Sequence, residues 1–205
     1  MKTRVFAAIL ALATTASTAA VAAQTAPEAC LADERDFNLL MTSLEAEGWT
    51  AIMPGEPIPE AATESIALAR TVFYATTDRG GASLDQIMDL QRRTVPGFAR
   101  RVDTDLAKVR VLTRGDDAMT LNWSQPQAGK WGIVEVICRI ASSAGRAATG
   151  TEEGFDDGMM QTLAEEPLRR IGITALEPAL LAELTTDDTT RAIIETVSVL
   201  PPLEE

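Results

Sequence analysis

The chain has 205 residues, 46% hydrophobic and 23% charged, a balance typical of globular rather than disordered polypeptide. Its net charge of −12 opposes phosphate backbones and anionic lipid, so nucleic acid is not an expected partner. It contains no histidine, which excludes a Ser-His-Asp or Cys-His device and removes the commonest metal ligand and neutral-pH proton acceptor.

Met1-Lys2-Thr3-Arg4 precedes an uncharged run from Val5 to Pro27, which is rich in Ala, Leu, Ile and Val as far as Ala16 and carries the small residues Val21-Ala22-Ala23 toward its end. A basic start, an apolar middle and a small-x-small exit are the parts of a secretory signal peptide. The run resembles a bacterial general-secretion leader, with the cut placed after Ala23. An uncleaved anchor is the competing reading, but Thr14, Thr15, Ser17, Thr18, Gln24 and Thr25 dilute the second half of the run. Pro27-Glu28-Ala29 before Cys30 does not fit a lipid-attachment site. The expected organisation is therefore residues 1–23 as signal peptide, 24–200 as one globular domain with a flexible connection over 141–153, and 201–205 as a tail. Losing Lys2 and Arg4 with the leader takes the net charge from −12 to −14. No second long apolar run follows, so no membrane span is expected after leader removal, and the expected location is periplasmic or secreted.

Cys30 and Cys138 are the two cysteines. In an exported chain a lone pair reads first as a disulfide, and two sulfurs without histidine make a poor zinc site. The loop closed would span about 108 residues, roughly 4–5 kcal/mol on the chain-entropy account.

Along the chain, Phe37, Leu40, Met41 and Leu44 form one apolar stripe, predicting a helix over 33–47 with Asp33, Glu34 and Asp36 at its start and Gly48 at its stop. Residues 49–53 read as a short strand. A second helix is expected over 60–76, with Ala62, Ile66, Ala69 and Phe73 facing inward. Asp78 to Gly81 is a turn. Ser83 and Gln86 form a capping-box pattern opening a third helix through Arg93, and residues 98–106 suggest one more short helix. The period then changes to two. Val109, Val111 and Thr113 alternate with Lys108 and Arg110; Gly115-Asp116-Asp117 turns; Met119, Leu121 and Trp123 alternate with Thr120 and Asn122; residues 125–130 turn again; Val134, Val136, Cys138 and Ile140 alternate with Glu135 and Arg139. Three strands with short turns predict an antiparallel meander, and Cys138 on its apolar face would receive Cys30 from the start of the first helix. Helices are expected over 155–166 and 177–185, whereas 187–199 fits either helix or strand. The fold expected is α+β: a three- to four-stranded antiparallel meander packed on one face by the N-terminal helices, with a mostly helical C-terminal segment.

Charge is uneven. Residues 92–114 carry Arg92, Arg93, Arg100, Arg101, Lys108, Arg110 and Arg114, whereas acids dominate 147–205, so the two regions are expected to attract. The polar face of the meander would carry Lys108, Arg110, Arg114 and Arg139. These four are the candidate surface for a small anionic ligand or an acidic protein partner, against the alternative of a solvated sheet face. The acidic run Glu152 to Gly158 lacks the ligand spacing of a calcium loop. Glu135, between Val134 and Val136, is expected to pair with Arg110 or Arg139. Asn122-Trp123-Ser124 matches a glycosylation acceptor inside a predicted strand, where chance is the better account. No phosphate-binding glycine loop, nucleophile elbow or metal pattern occurs, so no catalytic residue, metal ligand or cofactor is named. Two functions remain open: a non-catalytic exported binding or accessory protein, and a carboxylate-dependent hydrolase of the cell envelope.

Overall fold

The computed structural model describes residues 26–77, 83–125, 132–143, 161–166, 169–176, 178–185 and 189–202. The expected leader, the 78–81 turn and the acidic run 152–158 lie outside these residues.

The local signals at the N-terminal end operate as the sequence implies. Helix α1 (Glu28–Leu31) is a single turn, and its first amides are met by the Glu47 carboxylate, which accepts from Ala29 N at 2.8 Å. Helix α2 (Phe37–Ala46) begins later than its acidic run suggests, because Asp36 is the cap: its carboxylate accepts from Asn38 N and Leu39 N. Gly48 takes φ 87 and turns the chain into the short strand β1 (Thr50–Ile52). Helix α3 (Glu60–Thr77) follows, then α4 (Leu84–Thr94), which opens on the reciprocal Ser83–Gln86 capping box. Pro96 does not end the helical path. It sits in the first turn of a 3-10 helix, Val95–Arg100, that continues directly from α4 and replaces the short helix expected at 98–106. Among the described residues, no helix is long and apolar enough to cross a membrane.

The sheet departs from the expected architecture. Strands β2 (Ala107–Arg114), β3 (Asp117–Ser124) and β4 (Val134–Ser142) form the anticipated meander. It is the middle of a seven-stranded antiparallel sheet, ordered β1-β2-β3-β4-β7-β6-β5, in which β1 is a three-residue edge. The C-terminal segment is therefore mainly strand: β5 (Gln161–Glu166), β6 (Arg169–Ala175) and β7 (Ala192–Leu200), with helix α5 (Pro178–Leu184) between the last two. The helix expected over 155–166 is overturned where it is described. Gln161, Leu163, Ala164 and Glu165 favour helix locally, but pairing with β6 outweighs that weak preference. The ambiguous stretch 187–199 resolves as β7, whose β-branched residues pair with β4 along nine positions, Val134↔Leu200 to Ser142↔Ala192.

Both faces of the sheet are covered, not one. On the front face, α1 and α2 pack Cys30, Phe37, Leu40 and Leu44 against Leu112, Met119, Leu121, Trp123, Val136, Cys138 and Ile194. On the back face, α3, α4, the 3-10 helix and α5 bury Ile66, Leu68, Met88, Val95, Phe98 and Leu181 against Val111, Ala118, Ala141 and Ile193. Arg92 ties three back-face helices together. Its guanidinium grips both oxygens of Glu64 and donates to the Leu184 carbonyl at 2.9 Å. That grip raises the Arg92 pKa above its ordinary value, chiefly through the Glu64 hydrogen bond.

The predicted disulfide is present. Cys30 and Cys138 are bonded, both fully buried, with a Cα–Cα distance of 6.2 Å. It fastens α1 to the third strand of the meander from the front face, as the alternation of β4 predicts.

Candidate anion-binding site

The four basic residues picked out from the sequence do not share a face. Arg114 and Asp117 are direct partners, so the hairpin turn is the two residues Gly115 and Asp116, with Gly115 at φ 58. A three-residue turn through Asp117 is what aligned Val109 and Val111 with Trp123 and Leu121. One residue fewer reverses every side chain of β2 relative to β3. Lys108, Arg110 and Arg114 consequently lie on the front face, among the aromatic residues of that core. Lys108 Nζ stands 4.9 Å from the centre of the Phe37 ring and 5.4 Å from Trp123. Arg110 lies over Phe37 and pairs with both oxygens of Asp103. That pairing holds the Asp103 carboxyl below its usual pKa. Arg114 lies over Trp49 at 4.5 Å and pairs with the buried Asp117. Arg110 and Arg114 are each committed to a carboxylate, and Lys108 is held over two rings.

Arg139 lies on the back face, where the structure assembles a different cluster. Its Nε donates to Glu195 at 2.5 Å, and its guanidinium lies 4.0 Å above the Phe73 ring. Glu195 also accepts from Arg170 at 2.7 Å, although it is only 3% exposed. From the interior of α3, Arg70 reaches over Phe98 at 4.8 Å and Tyr74 at 5.8 Å, and donates from Nε to Gln91. Arg101 stands over the same Phe98 ring at 5.0 Å. Four guanidiniums thus converge around three aromatic rings and one carboxylate. Among the described residues, neither Arg70 nor Arg101 has a carboxylate within ion-pair distance. Burial lowers the Arg70 pKa, and Arg139 and Arg101 push it the same way as like charges, against an opposing contribution from Tyr74. A cation in that position gains from an added anion.

Sequence patterning reached one member of this cluster, Arg139. Arg101 belongs to the basic stretch, which could widen the patch only if the fold brought it round; Arg70 and Arg170, from a helix and from a strand that was not anticipated, were missed. The available signal was the spacing Arg70-x-x-Phe73-Tyr74 together with Phe98-x-x-Arg101, each setting a guanidinium beside rings. Most acids of the C-terminal third lie outside the described residues, and the described members of the basic stretch take partners elsewhere. Arg92, Arg110 and Arg114 pair with Glu64, Asp103 and Asp117, while Arg169 reaches back to Asp33. Glu135 is half-buried, and among the described residues Arg110 and Arg139 take other partners.

A concavity of about 800 Å³ lies where α3 begins beside the β2–β3 turn, lined by Glu60, Glu64, Asp116, Asp117 and Arg92. Its inner carboxylates are occupied. Glu64 holds Arg92 and accepts from Thr185, and Asp117 accepts from Arg114, Ser143 N and Ser143 Oγ. They brace α3, α4 and the hairpin.

Comparison with protein-family models, curated proteins and solved structures finds no match, so the chemistry of the cluster itself carries the functional reading.

Proposed function

We propose that the chain is an exported, non-catalytic binding or accessory protein that holds an anionic ligand on the back-face guanidinium cluster. The observation that carries this reading is the charge imbalance there: Arg70, Arg101, Arg139 and Arg170 are served by Glu195 alone among the described residues. Guanidiniums stacked on rings are held in fixed directions and keep planar donor edges for a carboxylate or phosphate. The absence of histidine and the committed state of Glu64 and Asp117 favour binding over carboxylate-driven hydrolysis. Export rests on the leader pattern of residues 1–23 and agrees with a buried disulfide, since such bonds persist in oxidising compartments.

Titration of the purified protein with inorganic phosphate and with acetate, followed by calorimetry, tests the reading. Binding that falls at least tenfold in an Arg70→Gln, Arg101→Gln double variant, and weakens as sodium chloride rises, is the expected result. Equal binding in native and variant protein, or none in either, removes it. N-terminal sequencing of exported material tests the leader: the expected first residue is Gln24, and a chain beginning at Met1 contradicts it.

A further inference from the structure

The back face divides into two halves along the strands. Toward the β2–β3 turn it is buried beneath α3 and its neighbours, at Val111, Ala118, Thr120, Ala141 and Ile193. Toward the other end, Asn122, Ile137, Val197 and Val199 are only half-buried, and the three apolar ones belong to neither hydrophobic cluster among the described residues. Ile137 and Val197 are direct cross-strand partners, and Val199 follows two residues along on the same side. This apolar floor adjoins the arginines. Arg139 is two residues from Ile137 on β4, Arg170 is the β6 partner of Val197, and Glu195 joins the two.

Resting on the anion-binding reading above, we propose that this site takes a single-chain amphiphilic carboxylate, its head on the guanidiniums and its aliphatic chain over Ile137, Val197 and Val199. An inorganic anion would satisfy the cations and leave the floor wet. A neutral apolar ligand would cover the floor and leave Arg70 and Arg101 without a counter-charge. The amphiphile does both, because charge and apolar surface are contiguous here. Ile137 and Val197 lie on adjacent strands about 5 Å apart and Val199 about 7 Å further along β7, a floor that meets part of a medium-length aliphatic chain. The occupant is a free monomer rather than a bilayer surface, since a chain of net charge −12 is repelled by anionic membranes.

The test is a calorimetric series on the full chain with acetate, octanoate, decanoate and dodecanoate below their micelle concentrations. Dodecyl maltoside serves as the neutral control and phosphatidylglycerol vesicles as the membrane arm. Affinity is expected to rise about fourfold for each two carbons added, half the gain that full burial of each methylene would give. Dodecanoate binding is expected to drop at least tenfold in the Arg70→Gln, Arg101→Gln variant and in Ile137→Ser, with dodecyl maltoside and vesicles unbound. The length series needs only native protein, so it decides the matter even where Ile137→Ser does not fold. Acetate and dodecanoate binding equally, and both through the arginines, would overturn this inference and leave the anion-binding reading standing. No binding of any anion would remove both. Binding to vesicles without binding to monomeric dodecanoate would overturn the inference as well.

Discussion

Glu195 lies 2.5 Å from Arg139 and 2.7 Å from Arg170, a buried carboxylate holding guanidiniums from the strands on either side of its own. It is the internal counter-charge of the back-face cluster. Replacing it leaves a buried cation uncompensated. Glu195→Gln is expected to cost about 3 kcal/mol, the low end for a broken buried pair because Arg170 relaxes into water. For a domain of this size that lowers Tm by roughly 6–12 °C. Thermal unfolding by circular dichroism measures it. Added phosphate is expected to recover part of the loss by filling the vacated counter-charge, and an unchanged Tm would show that the arginines do not depend on Glu195.

The Cys30–Cys138 bond closes a 108-residue loop. The Cys30→Ser, Cys138→Ser double variant is expected to lose about 4–5 kcal/mol of unfolding free energy, because the denatured chain regains the freedom the crosslink removed. Urea unfolding gives the value. Unreduced native protein, opened in denaturant, is expected to show no reactive thiol, and two thiols there would disprove the crosslink.

The β2–β3 turn is held by Gly115 at φ 58, with open space where a side chain would go. A substitution there meets no neighbour, so its whole cost is backbone conformation. Gly115→Val is expected to destabilise by about 1–2 kcal/mol. Measured in urea, a neutral result would mean the turn is not held in the left-handed region.

Arg110 lowers the pKa of Asp103 below the ordinary carboxylate value of 3.8. A depressed folded-state pKa stabilises the protein above the unfolded value, and that contribution fades as pH falls through the folded one. Asp103→Asn is therefore expected to be less stable than the native chain at pH 7 by about 0.5–1 kcal/mol, a modest figure because the pair is partly exposed. The two proteins should converge in acid. A difference that persists unchanged below pH 3 would assign the effect to packing rather than charge.

Where local chemistry decides the structure, the sequence is readable. The Ser83–Gln86 box, the stripe of Phe37, Leu40 and Leu44, the alternation of β3 and β4 and the pairing of the cysteines all follow from spacing. Where a distant partner decides, it is not. Gln161 to Glu166 prefers helix in isolation and becomes a strand only because Arg169 to Ala175 lies beside it. The candidate site suffered most from a single residue. Reading Asp117 as turn rather than strand placed Lys108, Arg110 and Arg114 with Arg139, and the actual pairing of Arg114 with Asp117 separates them. Arg70 gave little warning, since a lone arginine within a helix ordinarily faces water; the nearby rings from Phe73, Tyr74 and Phe98 give it a different setting.

The central claim is that the back-face guanidiniums, and not the front-face basic residues, receive an anion. Side-chain NMR of the arginine Nε–H groups during a phosphate titration tests it most directly. The account predicts saturable shifts at Arg70, Arg101 and Arg139, with Arg110 and Arg114 held in place by Asp103 and Asp117. Shifts confined to Arg110 and Arg114, or none at any of the five, would contradict it.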